Sequence, residues 1–252
     1  LNYNSVMALS EPLFIFSAIA SFYFLLNNKS KFVIIALIFA AFSYWIRLNG
    51  IILFLIVSIT YILTFKKSRI FLKNYGLGLV VFLIIISPML LQKYEQFGDP
   101  FYSSYQDTMF SKNYEELISN ISLNTKTSVS LYIEKNGILD FIYTFFISGF
   151  INSVILLSKI SFPYLFILIP FGILFSFRAF DQKSQYTKAN WIFILSSIFL
   201  MSFILSVVPE QRFLLFLMPF LVLFSVIPIQ RVTEYGLSTF SLSRKQKDIF
   251  LV

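Results

Sequence analysis

The sequence predicts an all-α, polytopic membrane-helix bundle. Three observations predict it. Only 13% of the 252 residues are charged while 58% are hydrophobic, and mean hydropathy is +0.80; soluble domains carry about 25% charged residues. The apolar residues fall in long charge-free runs rather than in amphipathic stripes. Basic residues gather between alternate runs, the asymmetry that orients membrane helices.

A spanning helix needs roughly 17–25 predominantly apolar residues. Seven segments meet or approach that length: 10–26, 32–46, 49–65, 75–92, 160–177, 190–208 and 213–230. The segment 32–46 is short and borrows length from its flanks or from local thinning of the bilayer. Residues 141–158 and 160–177 are separated by Lys159 alone, which leaves no room for a hairpin turn. Ser148, Gly149, Asn152 and Ser153 make 141–158 the more polar of the two. It reads as an interfacial or re-entrant helix leading into the span at 160–177.

Placing 27–31 inside puts Lys29, Lys31, Lys66, Lys67, Arg69, Lys73, Arg178, Lys183, Lys188, Arg231, Arg244, Lys245 and Lys247 on the cytoplasmic face. Those 13 cations meet three acids, Asp181, Glu234 and Asp248, for a net +10; the other seven cations and nine acids give −2 outside, which together make the chain's +8. The charge is therefore a topology signal, and no basic footprint for nucleic acid is present. The chain divides into membrane helices with an outer turn at 47–50 (1–92), an extracytoplasmic loop with an interfacial helix (93–159), membrane helices with an outer turn at 209–212 (160–232) and a cytoplasmic tail (233–252). Asn120-Ile121-Ser122 fits the N-glycosylation pattern on the outer side; Asn28-Lys29-Ser30 fits it equally well on the inner side, so the pattern discriminates little.

Cysteine and histidine are absent. That excludes disulfides, Cys or His metal sites, thiol nucleophiles and histidine bases. Zinc is disfavoured, and no cofactor is called for; a divalent cation held by carboxylates is compatible with the composition.

Charges at the ends of membrane helices are costly and are the default functional candidates. Glu11, in Ser10-Glu11-Pro12, reads as a carboxylate at the start of the first span, either a plain cap or a cavity-facing group. Arg47-Leu48-Asn49-Gly50 forms a short outer turn in which Asn49-Gly50 suits positive φ. A guanidinium there grips a phosphate in two-pronged fashion or simply snorkels. Pro209-Glu210-Gln211-Arg212-Phe213 forms the outer turn between the last spans, with Arg212 a second phosphate ligand and Glu210 its orienting partner or a sugar-facing group. Gly98-Asp99-Pro100 signals a turn, and Asp99 and Tyr102 are further cavity-lining candidates. The 33 phenylalanines are read as packing and lipid-facing residues.

In this order the turns resemble the GT-C superfamily of membrane glycosyltransferases, in particular its protein-mannosyltransferase-like and aminoarabinose-transferase-like group. The resemblance rests on Ser10-Glu11-Pro12-Leu13-Phe14, Arg47-Leu48-Asn49-Gly50, Phe97-Gly98-Asp99-Pro100, Ile169-Pro170-Phe171-Gly172, and Arg212-Phe213-Leu214-Leu215 leading to Met218-Pro219. It spans most of residues 5–232. It implies a prokaryotic plasma-membrane enzyme with an extracytoplasmic active face, which moves a sugar from a polyprenyl-phosphate donor to a lipid, glycan or protein acceptor. Arg47 and Arg212 would then hold the donor phosphate. The family's acidic residue in its first outer loop has no counterpart in residues 1–9, so the catalytic base is expected upstream of Leu1. The alternatives are an envelope polysaccharide polymerase and a transporter or flippase. The uncharged span centres disfavour transport.

Overall fold

A computed structural model describes residues 2–27, 31–64, 69–102, 108–123, 126–160, 167–174, 176 and 185–239. Among them every regular element is helical. In chain order these are α1 (Asn2–Leu26), α2 (Phe32–Ile46), α3 (Gly50–Thr64), α4 (Arg69–Phe97), α5 (Tyr114–Ser122), α6 (Val129–Asn136), α7 (Ile138–Ile160), α8 (167–174), α9 (Gln185–Leu205) and α10 (Met218–Thr239). Arg69–Phe97, Ile138–Ile160 and Thr187–Leu205 are long and apolar enough to cross a membrane; Ser10–Leu26, Phe32–Ile46, Gly50–Thr64 and Leu215–Gln230 are shorter apolar helices.

Small residues let the backbones approach, as in other apolar helix bundles. α2 packs on α1, α3 and α4 through Ala36, Ala40 and Ala41, all fully buried. Ser21 Oγ on α1 donates to the Ala36 carbonyl at 2.7 Å. α3 packs in turn on α9. Phe22, Phe193 and Phe220 tie α1, α9 and α10 together at centroid distances of 4.4–4.9 Å; Phe22 meets both other rings edge to face, a favourable geometry, and Phe193 and Phe220 are tilted against each other. Phe14 and Phe216 meet one layer higher, at 5.6 Å. The end of the bundle that carries the 47–50 and 209–213 turns is here called the loop end.

Several expectations change. The first helix begins at Asn2 and runs through Pro12, so Glu11 is an interior helical residue and not a cap. Proline costs one internal hydrogen bond, which α1 tolerates near its loop end. The last expected span starts later: two 3₁₀ turns, Gln211–Phe213 and Leu215–Leu217, precede α10. The segment expected as a loop is mostly helical, carrying α5, α6 and α7. Only 160, 167–174 and 176 of the expected span at 160–177 are described, as are residues 233–239 of the expected tail; the rest of both, like Asn28-Lys29-Ser30, Lys66 and Lys67, lies outside the described residues.

The expected interfacial segment 141–158 is the larger part of one helix, α7, long and apolar enough to cross a membrane. Its contacts set its place. Phe146 packs on Phe199, Phe145 on Phe203, and Asn152 Nδ2 donates to the Leu205 carbonyl at 3.0 Å. A Cβ on Gly149 would lie 2.0 Å from the Ser202 carbonyl oxygen, so only glycine allows this approach. These partners are confined to the last two turns of α9, which holds α7 against the loop end. A π-helical stretch, Tyr143–Ser148, widens the helix where Phe145 is fully buried against Leu117, Tyr132 and Val207.

Charged pairs fasten the segment below α7. Lys112 Nζ lies 3.5 Å from Asp140 Oδ1 and Lys135 Nζ 3.1 Å from Glu116 Oε1. Tyr132 donates to Asp140 Oδ2 at 2.8 Å, and burial pushes its phenol above its ordinary value. The Asn120 side chain of the glycosylation pattern donates to Ser111 Oγ at 3.0 Å, which gives its amide a structural role. Burial pushes the Glu116 carboxyl up, but the Lys112 amide and Lys135 outweigh it and hold it below its ordinary value of 4.5. Stabilisation from a carboxyl depressed in the folded state is complete above the unfolded value and is lost as pH falls through the folded one. In detergent, Glu116→Gln is therefore expected to melt below wild type at pH 7, and the two melting curves to converge as pH falls below the ordinary carboxyl value.

Candidate functional site

The site begins with a tight hairpin. α2 stops at Ile46, and Arg47 turns extended at φ −148° and ψ 139°, its amide donating to the Ser43 carbonyl at 2.9 Å. The Gly50 amide donates to the Arg47 carbonyl at 2.8 Å and starts α3. Gly50 is not one of the positive-φ glycines, contrary to the turn geometry expected of Asn49-Gly50. Close approach is what demands glycine: a Cβ would lie 2.3 Å from the Ser43 carbonyl carbon and from the Tyr44 nitrogen.

This hairpin holds Arg47 where α1 and the 209–213 turn meet it. Arg47 Nη1 lies 3.6 Å from Glu11 Oε1, and its side chain is only 17% exposed. Arg212 pairs with Glu210. The guanidinium carbons of Arg47 and Arg212 both stand 5.7 Å from the centroid of the Phe213 ring, a cation–π distance. Two arginines from opposite halves of the chain thus share one aromatic surface. Burial pushes the Arg47 guanidinium below its ordinary value; Glu11 pulls it back up and Arg212 pushes it down. It stays protonated at neutral pH, since guanidinium pKa values lie far above 7.

Both arginines line a cavity of about 690 Å³ at the loop end. Ser10, Asn49 and Glu210 line it as well. Ile51, Ile52, Ile204, Val207 and Val208 form apolar walls, and Met109, Tyr114 and Leu117 come from the segment fastened by the charged pairs. The volume lies within the range of small-molecule sites, where apolar walls carry a few convergent polar groups.

Four of the seven sequence-derived candidates, Arg47, Asn49, Glu210 and Arg212, come together on this cavity. Glu11 stands beside it as the partner of Arg47, with Ser10 on the lining instead. Asp99 and Tyr102 do not line it. Asp99 Oδ1 accepts from the Phe101 amide at 2.9 Å, closing the turn after α4. Tyr102 stacks on Phe97 at 4.1 Å, and Phe101 reaches the cavity in its place. Lys93, Tyr44 and Phe213 are lining residues that the sequence reading passes over. Lys93 is legible as the first charge after the apolar run 74–92; Phe213 stands in the Arg212-Phe213-Leu214-Leu215 run but is not marked there as an arginine-facing ring, and Tyr44 has no signal among 47 phenylalanines and tyrosines (33 Phe, 14 Tyr).

The chemistry on offer is anion binding between apolar walls. Two guanidinium groups near each other in a half-buried site are unfavourable unless countered, and Glu11 and Glu210 are the counter-charges. Among the described residues no group of three or more acidic side chains could hold a metal ion. Protein-family models, curated proteins and solved structures contain no match to this chain.

Proposed function

We propose that the chain is an integral membrane glycosyltransferase with about seven spans, working at its extracytoplasmic face on a polyprenyl-phosphate-linked sugar. Three helices long and apolar enough to cross a membrane support the setting. One observation carries the activity: Arg47 and Arg212 converge on a single apolar-walled cavity at the helix ends, a placement that suits a lipid phosphate at headgroup depth. The apolar walls suit the first isoprene units.

In the proposed reaction an acceptor hydroxyl attacks the anomeric carbon from the face opposite the phosphate. The bond between that carbon and the phosphate oxygen breaks with inversion. Its electron pair stays on the phosphate, where Arg47 and Arg212 meet the growing charge. The hydroxyl proton passes to a carboxylate base, as the family resemblance implies. Membranes from cells expressing the full-length gene are expected to transfer label from a radiolabelled polyprenyl-phosphate sugar. Absence of donor-dependent transfer across a panel of such sugars would return the choice to the polymerase and transporter readings.

A further inference from the structure

Among the described residues three cations line the cavity, and they are not equivalent. Arg47 has Glu11 and Arg212 has Glu210 within ion-pairing distance. Lys93, reaching in from the last turns of α4, has no carboxylate at that distance among the described residues. Its Nζ donates to the Tyr102 carbonyl at 2.8 Å and stands 5.8 Å from the Tyr44 ring centroid. Asp99 acts on it electrostatically from farther away.

A carbonyl and an aromatic face hold an ammonium in position without cancelling its charge. Tyr44 lies one helical turn before Arg47 on α2, so the same turn that presents the guanidinium also seats the lysine. The two arginines must loosen their carboxylates to take up an anion fully. Among the described residues Lys93 has no such partner to give up, and its one hydrogen bond there, to the Tyr102 carbonyl, engages one of its three donor hydrogens.

We propose that Lys93 is the residue that selects for charge in the ligand. It supplies positive potential not tied up in an ion pair, which draws the phosphate of a prenyl-phosphate ester into the cavity, and the arginines then orient it. This rests on the reading of the cavity as a lipid-phosphate site. Selectivity for the phosphate ester over the corresponding uncharged prenol should accordingly reside in Lys93.

The test uses the full chain in detergent, with a C55 polyprenyl phosphate and the same-length polyprenol as probes. Binding is followed by quenching of intrinsic tryptophan fluorescence. Wild type should prefer the phosphate, and Lys93→Gln should lose about tenfold in affinity for it, in line with the loss of a charge-assisted hydrogen bond. Affinity for the polyprenol should stay within about twofold, and Lys93→Arg should keep most of the preference. A merely structural lysine would weaken both probes together, and that result overturns the proposal. So does Lys93→Gln binding the phosphate as well as wild type. Failure of wild type to prefer the phosphate at all would instead overturn the lipid-phosphate reading itself, and the proposal with it.

Discussion

Arg47→Ala and Arg212→Ala are each expected to lower donor-dependent sugar transfer by about 100-fold, the scale seen when one preorganised donor to a developing negative charge is removed. Protein levels should not change. Each arginine contacts one carboxylate and the Phe213 ring, and neither is part of the aromatic core that ties α1, α9 and α10 together. The loss should fall mainly on kcat, because the phosphate gains charge as the sugar leaves. Lysine replacements should recover part of the activity at best: an ammonium supplies the charge without the planar fork that grips two oxygens. Glu210→Gln should be milder than either, since it removes the counter-charge and leaves the guanidinium in place. Initial rates at saturating and limiting donor, in membranes matched for protein level, separate these outcomes.

A large structural effect is expected at Gly50, the glycine on which the Arg47 hairpin depends. An added methyl would lie 2.3 Å from backbone atoms of Ser43 and Tyr44, and no rotamer change relieves a clash with backbone. α2 and α3 would have to move apart, taking Arg47 and Asn49 with them. Overpacking of this kind typically costs about 1–3 kcal/mol, and Gly50→Ala should fall at the upper end. Gly76→Ala on α4 is the matched control. No atom lies within 4 Å of its Cβ position, and alanine is favoured over glycine in a helix by about 1 kcal/mol. Thermal unfolding in detergent, followed through Trp45 and Trp191, should show Gly50→Ala melting well below wild type and Gly76→Ala at or above it. Equal melting of the two variants would mean that the close approach at Gly50 does not hold the hairpin together.

Much of this arrangement is legible in the sequence, because charges stand out against apolar runs. Arg47, Glu210 and Arg212 interrupt stretches that otherwise carry no charge, and the cost of such interruptions is enough to mark them as functional candidates. The alternation of spans expected from the sequence places both turns at one end. Other features are set by contacts that sequence spacing does not encode. Glu11 beside Pro12 has the pattern of a helix start, yet α1 extends backward to Asn2, and the carboxylate serves Arg47 across the bundle. Asp99 and Tyr102 are consumed by the turn that follows α4. Lys93 has the pattern of an ordinary snorkelling anchor, and only its contacts with Tyr44 and the Tyr102 carbonyl set it apart. In α7, Lys159 suggests a boundary between two segments, but a single lysine near a helix C-terminus is compatible with the end-charge preference of helices, and the helix continues to Ile160.

The central claim is that Arg47 and Arg212 act on one phosphate rather than at two separate places. A double-mutant cycle on transfer from a labelled polyprenyl-phosphate sugar tests it most directly, using wild type, Arg47→Ala, Arg212→Ala and the double variant. Groups that act as a unit are strongly non-additive, so the double variant should lose little more than either single variant, about 100-fold to 1,000-fold in all. Losses that multiply, about 10,000-fold for the pair, would place the two arginines in independent roles, and rates indifferent to both would remove the phosphate site from this cavity.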